Sequence, residues 1–260
     1  MGITELTPDY RGLIGLEGKH VLVLGGGLGI GRQTCLAAAS VGAKVSVVDM
    51  DQDRAKAVAE EVDGLALTGD ATDRAAVERF VGEAVRHFGP IHGLADIIGM
   101  SDNGPLSEVT DELWYRGLDL NLRHAFLALQ IGAKAMTEGG SMVFVGSISG
   151  LRSAPGHAVY GAAKAGLANL VSTASLELGP GIRVNVVAPG QTATPRVAER
   201  HPEPDYYDKA AAQVPLGRVG RTSDIASAVL FFLTDLSAWI TGQTLVVDGG
   251  AGRRFAYTKL

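Results

Sequence analysis

Seven short apolar runs, most of them separated by segments with helical patterning, constrain this chain more than any other feature. The runs are His20–Leu24, Val45–Val48, Leu65–Leu67, Ile91–Ile98, Ser141–Val145, Ile182–Val187 and Thr244–Val247. The helical segments are Ile30–Val41, Asp51–Val62, Ala75–Phe88, Leu113–Met136, Ala158–Leu178 and Ser223–Leu233. Brief continuous apolar runs suit strands buried on both faces. Strands alternating with helices imply βαβ units and one parallel sheet. No linker or internal repeat interrupts the pattern, so residues 1–260 are expected to form a single α/β domain. Residues 1–17 precede its first strand as an extension, and 251–260 follow its last as a tail. The longest irregular stretch is 191–220, with Pro195, Pro202, Pro204 and Pro215 scattered through it. A connection of that length is expected to be a substrate loop or lid.

Gly25-Gly26-Gly27-Leu28-Gly29-Ile30-Gly31 joins the first strand to the first helix. Glycines there let the backbone turn sharply and approach a pyrophosphate, while the helix N-terminus offers unpaired amides. Strand, glycines and helix in that order point to dinucleotide binding. Asp49 ends the second strand, 18 residues beyond Gly31. A carboxylate there accepts both hydroxyls of an adenosine ribose and repels a 2′-phosphate. Met50 and Leu28 supply no compensating cation, so NAD is expected over NADP. Asp70, followed by Ala71 after the third strand, has two readings: a hydrogen bond to the adenine amino group, or an N-cap ahead of Ala75.

Tyr160 and Lys164 lie four residues apart in a predicted helix and share a face. Tyrosine ionises near pH ~10, too high for a base at neutral pH. A neighbouring cation favours the phenolate, giving a usable general acid/base. Ser147 precedes the tyrosine by 13 residues. With a hydride acceptor nearby, this is alcohol oxidation or ketone reduction.

Composition excludes other classes. Apolar residues make up 46% and charged residues 20%, and the net charge of −5 includes no basic block, so nucleic acid is not an expected partner. Cys35 is the only cysteine, which rules out an intrachain disulfide, and it is read as core filler. The histidines are scattered without metal-ligand spacing, and His157 is read as a pocket residue. Residues 1–18 lack the cationic and apolar regions of a signal peptide, and no apolar run approaches a membrane span. The expectation is a cytoplasmic protein with no membrane partner.

The glycine turn, Asn121, Ser147, Tyr160 and Lys164, in this order, resemble the short-chain dehydrogenase/reductase family. The resemblance runs from about Leu16 to Gly250. It includes Leu24–Gly31 with leucine for the usual threonine, Pro189-Gly190 followed by Thr192 and Thr194, and the ending from Ile240 to Gly250. It implies a Rossmann-type, doubly wound domain with a parallel sheet of about seven strands. It also implies a catalytic set of Asn121, Ser147, Tyr160 and Lys164. In that set Lys164 also holds the nicotinamide ribose, and Asn121 binds a water linking Lys164 to solvent. The cofactor residues it implies are Gly25, Leu28, Gly29, Ile30, Gly31, Asp49, Asp70, Ala71, Asp96, Tyr160, Lys164, Pro189, Gly190, Thr192 and Thr194. One motif departs. Where the family has Asn-Asn-Ala-Gly, this chain has Asp96-Ile97-Ile98-Gly99. Asp96 cannot donate amide hydrogen bonds, and its charge is costly in a buried place unless paired.

The substrate pocket is expected from 100–103, 151–157 and 191–207, whose composition favours an apolar or alicyclic secondary alcohol or ketone. The alternatives are an NADP-dependent 3-ketoacyl reductase and a non-catalytic nucleotide sensor of the same fold. The family pairs the 113–136 and 158–178 helices with their copies and makes a further contact through the last strand, which implies a homotetramer.

Overall fold

The computed structural model describes residues 7–101 and 104–253. A seven-stranded, wholly parallel sheet forms its centre. Its strands are β1 His20–Leu24, β2 Lys44–Asp49, β3 Leu65–Thr68, β4 Gly93–Asp96, β5 Gly140–Val145, β6 Ile182–Pro189 and β9 Thr244–Val247. Two-residue strands β7 (Thr192–Ala193) and β8 (Gly220–Arg221) pair separately. The order across the sheet is β3-β2-β1-β4-β5-β6-β9. Chain direction across the sheet reverses between β1 and β4, the crevice where open α/β sheets bind ligands.

Alternation along each strand builds two cores. Leu22, Leu24, Leu94, Met142 and Phe144 face one layer, with Phe80 and Leu167 from helices Arg74–Phe88 and Ala158–Glu177. Val21, Val23, Val45, Val47 and Val143 face the other, with Ile225, Val229 and Phe232 from Thr222–Leu233. Cys35 is fully buried in this second core, as core filler should be, and burial pushes its thiol up.

Two local expectations change. The stretch 191–220 is not irregular: it holds β7, helices Pro195–Arg200 and Tyr206–Ala211, and β8. Thr194 caps the first of these helices, its hydroxyl accepting the Val197 N–H with Pro195 at the helix start. The helix expected over 113–136 runs from Asp111 to Ala135 but contains two π-helical turns, Asp119–Arg123 and Ala128–Gly132. Those turns change which side chains face inward: Leu127 is buried while Phe126, on the predicted apolar stripe, is 42% exposed. Residues 254–260 of the tail, 1–6 of the extension, and 102 and 103 of the expected pocket lie outside the described residues.

Candidate active site

Backbone geometry at the end of β1 builds the first part of the site. Gly25 (φ 76) and Gly29 (φ 60) take left-handed conformations that favour glycine. Gly25 and Gly26 both donate to the Val48 carbonyl, folding the turn against β2. A side chain on Gly31 would overlap the Gly25 carbonyl oxygen, so the helix Gly29–Ser40 starts tight against its own turn. Asp49 Oδ2 accepts the Gly27 N–H at 2.9 Å, and Oδ1 accepts the Asp51 N–H at 3.0 Å.

A cavity of about 290 Å³ opens above this turn. Gly25, Leu28, Gly29, Ile30, Asp49, Asp70, Ala71 and Thr194 line it, as expected, and so do Ile97, Ile98, Gly99, Met100 and Arg196. Gly31 is buried beneath it. Arg196 was not foreseen; only its place next to Thr194 could have suggested it. Asp70 Oδ1 accepts from both Thr72 N–H and Thr72 Oγ1, each at 2.8 Å. It is not the N-cap of the following helix, because Asp73 holds that position and accepts the Ala76 N–H.

Three expected cofactor contacts are absent from the lining. Pro189 and Gly190 end β6 against β9, where Gly190 donates to Val247. Thr192 is held in β7, its hydroxyl bonded to the Gly190 carbonyl. Asp96 is 1% exposed and points beneath the cavity. There Oδ1 accepts the Ile98 N–H at 3.1 Å, and His124 Nδ1 lies 2.7 Å from Oδ2. The carboxylate is thus paired, by a histidine that no sequence motif singles out. The signal available was position: His124 follows Asn121 by three residues in a helical run, on the same face.

The second part of the site gathers around Tyr160. Ser147 starts a short turn, its Oγ accepting the Ser149 N–H, and its side chain hydrogen-bonds Tyr160. Burial pushes the Tyr160 phenol up, and the Ser147 contact opposes that shift. His157 stacks edge-on to the Tyr160 ring, its Nδ1 2.9 Å from Ser149 Oγ. Lys164 is 1% exposed. Its Nζ donates to Val145 O at 2.9 Å and Ile98 O at 3.1 Å, and lies 6.0 Å from the Tyr160 ring centre. Burial lowers its ammonium to about 8, against a counter-effect from Asp96. The lysine is therefore anchored on two carbonyls rather than on the phenol itself. Asn121, in the first π turn, donates through Nδ2 to Met100 O and Gly117 O and accepts Met100 N–H through Oδ1. Its amide hydrogens tie the 100 loop to the helix, which leaves none for the expected water.

Tyr160 and Asn121 border a second cavity of about 160 Å³. Met100, Pro105, Val109, Leu113 and Val159 make its apolar walls, and Glu108 is its charged residue. Met100 also borders the first cavity, so the two meet there. Residues 151–157, expected to line a pocket, border neither. No group of three or more potential metal ligands occurs among the described residues, and no helix among them is long and apolar enough to cross a membrane.

Comparisons with known proteins agree with this geometry. Residues 26–252 match the family described as enoyl-(acyl carrier protein) reductase. A 3-oxoacyl-(acyl-carrier-protein) reductase of Thermotoga maritima is 35% identical over 243 residues, covering 90% of this chain and 98% of that protein. A trans-4-hydroxycyclohexanecarboxylate dehydrogenase of Sinomonas cyclohexanicum is 33% identical over 245 residues, covering 89% and 92%. Among solved structures, a 7α-hydroxysteroid dehydrogenase complexed with NADH and 7-oxo glycochenodeoxycholic acid superposes with a TM-score of 0.87. It is 28% identical, covering 94% of this chain and 98% of that one.

Proposed function

The chain belongs to the short-chain dehydrogenase/reductase family, and from that premise we propose an NAD-dependent enzyme interconverting apolar or alicyclic secondary alcohols and ketones. The observation that carries this reading is the junction of two cavities at Met100, one walled by the glycine turn and Asp49, the other by Tyr160.

The residues fit a nicotinamide dinucleotide. The turn has no room for side chains at Gly31, and at Gly27 a Cβ would lie 2.6 Å from Asp49 Oδ2. The N-terminus of helix Gly29–Ser40 and Arg196 offer positive potential to a pyrophosphate. Asp49 offers its carboxylate to the ribose. When bound there, the nicotinamide supplies the hydride acceptor or donor. Tyr160 takes the hydroxyl proton of an alcohol or gives one to a ketone. Ser147 accepts the Ser149 N–H and so keeps its own hydrogen to donate to the reacting oxygen. Lys164 holds a positive charge beneath the phenol and reaches toward the nicotinamide ribose. Asn121 fixes Met100, the wall the two cavities share.

The second cavity's largely apolar lining favours small carbocyclic or aliphatic substrates, and the Sinomonas relative is named for an alicyclic alcohol. A second reading, an NADP-dependent 3-ketoacyl reductase, is favoured by the name of the Thermotoga relative. Against it, Val48, Met50 and Leu28 neighbour Asp49 in the lining and provide no cation for a 2′-phosphate. The test is a panel of alicyclic ketones, aliphatic ketones and 3-oxoacyl thioesters with NADH and with NADPH, followed by absorbance. NADH-dependent reduction of alicyclic ketones is expected. Tight NADH binding without turnover of any member would turn the reading toward a nucleotide sensor.

A further inference from the structure

We propose that Asp96 and His124 form a buried positioning pair that shapes the carbonyl cradle of Lys164 and holds its ammonium as a cation. The inference rests on the reading of Tyr160 and Lys164 as the proton-handling pair, because it assigns what supports Lys164 from below.

The two backbone faces of Ile98 join the groups. Asp96 Oδ1 accepts the Ile98 N–H, and Lys164 Nζ donates to the Ile98 carbonyl. A shift of the carboxylate therefore moves the loop on which the ammonium rests. The cradle is tight: a Cβ on Gly99, the next residue, would lie 2.9 Å from Lys164 Nζ and 3.3 Å from Asn121 Oδ1. Asp96 is also the carboxylate whose charge favours protonated Lys164. The other titratable side chain beside the lysine is Tyr160, on its own helix. From the facing helical run come neutral Asn121 and, behind Asp96, His124.

His124 completes the arrangement. A carboxylate only accepts, so Nδ1 carries the hydrogen in the 2.7 Å contact with Oδ2. That fixes the tautomer and leaves the carboxylate with one donor on each oxygen. His124 is 1% exposed, and its Nε2 has no hydrogen-bond partner among the described residues. A buried imidazole with one nitrogen on a carboxylate and the other unsatisfied is costly as pure packing. A role in holding the carboxylate in place accounts for it. Asp96 and His124 thus work as one substitution: the chain has a charge where its family has an amide, and a donor across from it.

The experiment reads Lys164 directly and needs no substrate, so it stands apart from the activity panel. The Lys164 ammonium, buried and bonded to two carbonyls, exchanges its protons slowly enough to be followed by 15N NMR. Its signal is assigned by its loss in Lys164→Met, and its titration midpoint is measured alongside the melting temperature. Asp96→Asn is expected to lower the midpoint by at least about one pH unit. His124→Leu, which leaves the carboxylate without its donor, is expected to lower it as well, while His124→Gln, which keeps a donor, restores most of it. A midpoint unchanged in Asp96→Asn overturns the proposal, whatever happens to the melting temperature. If Asp96→Asn does not fold, the histidine variants decide: equal midpoints for His124→Leu and His124→Gln overturn it, and a difference in the stated direction supports it.

Discussion

The Asp49 carboxylate accepts the Gly27 N–H at 2.9 Å, so the group placed to read a ribose is tied to the turn placed to hold a pyrophosphate. Asp49→Ala should therefore do two things at once. It removes the discrimination against a 2′-phosphate, and it frees the Gly27 amide, loosening the turn. NADH affinity is expected to fall at least tenfold, and the preference for NADH over NADPH to shrink without reversing, since no cation is gained. Fluorescence titration of both cofactors measures this. Tighter NADPH than NADH binding by the wild-type protein would contradict the role given to Asp49.

Gly31→Ala tests the turn itself. The new methyl collides with the Gly25 carbonyl, a backbone atom that cannot rotate aside. Overpacking of this kind costs roughly 1–3 kcal/mol. The expected outcome is a lower melting temperature and loss of measurable NADH binding. An alanine variant that binds NADH like wild type would mean the turn is not built as described.

For Tyr160→Phe, turnover of a competent ketone should drop by about 10²–10⁴-fold, the usual share of proton transfer. NADH affinity should stay within a few fold, because the phenol borders the other cavity. Retention of half the wild-type rate would remove Tyr160 from the acid/base role.

The pH dependence has a distinctive sign. Burial brings the Lys164 ammonium down to about 8, so the cation is present below that pH and lost above it. Ketone reduction, which needs cationic Lys164 and a protonated phenol, should decline as pH rises through about 8. Stability moves the other way at this group. The unfolded lysine stays protonated to about 10.4, so above 8 the unfolded chain binds more protons, and this residue's contribution grows with pH up to that value. Activity should thus fail while the fold persists. Rate and melting temperature recorded on the same samples from pH 6 to 10 check it; reduction undiminished at pH 10 would count against it.

Assembly is the remaining expectation. Trp114, Tyr115 and Phe126 are at least 42% exposed on one helical run, and Leu176 is 83% exposed on Ala158–Glu177. At the sheet edge, Leu245 of β9 is 39% exposed and Trp239 fully so. Separate apolar patches on the helices and on the edge strand suit two kinds of two-fold contact. Light scattering at micromolar concentration should give about four times the 27.0 kDa chain mass. A monomer would contradict this, and a dimer would leave one contact.

The fold was legible because apolar runs report burial on both faces, and each of the seven predicted strands is present. The glycine turn and Asp49 were legible because their chemistry is local. What escaped depends on contacts between distant segments. Asp96 signalled an unpaired charge, but its partner lies 28 residues away, in a helix whose phase a regular period misreads. The Asp70 N-cap reading failed by three residues, since Asp73 satisfies the same local rule better. Helices at Pro195–Arg200 and Tyr206–Ala211 hid among prolines, one of which starts a helix rather than breaking it. Lys164 looked like a partner for the phenol until the competing carbonyls of Val145 and Ile98 were in view.

The π turn at Asp119–Arg123 makes chain length there as meaningful as residue identity. A π turn accommodates one residue more than an α turn. Deleting a single residue from it would relax the segment into regular helix and rotate the downstream turns by about 100°. His124 would then swing off Asp96, while every side chain named at the site was still encoded. Related chains that differ by one residue in this segment should therefore differ in how their buried lysine is supported, even where substitution tables score them as near-identical.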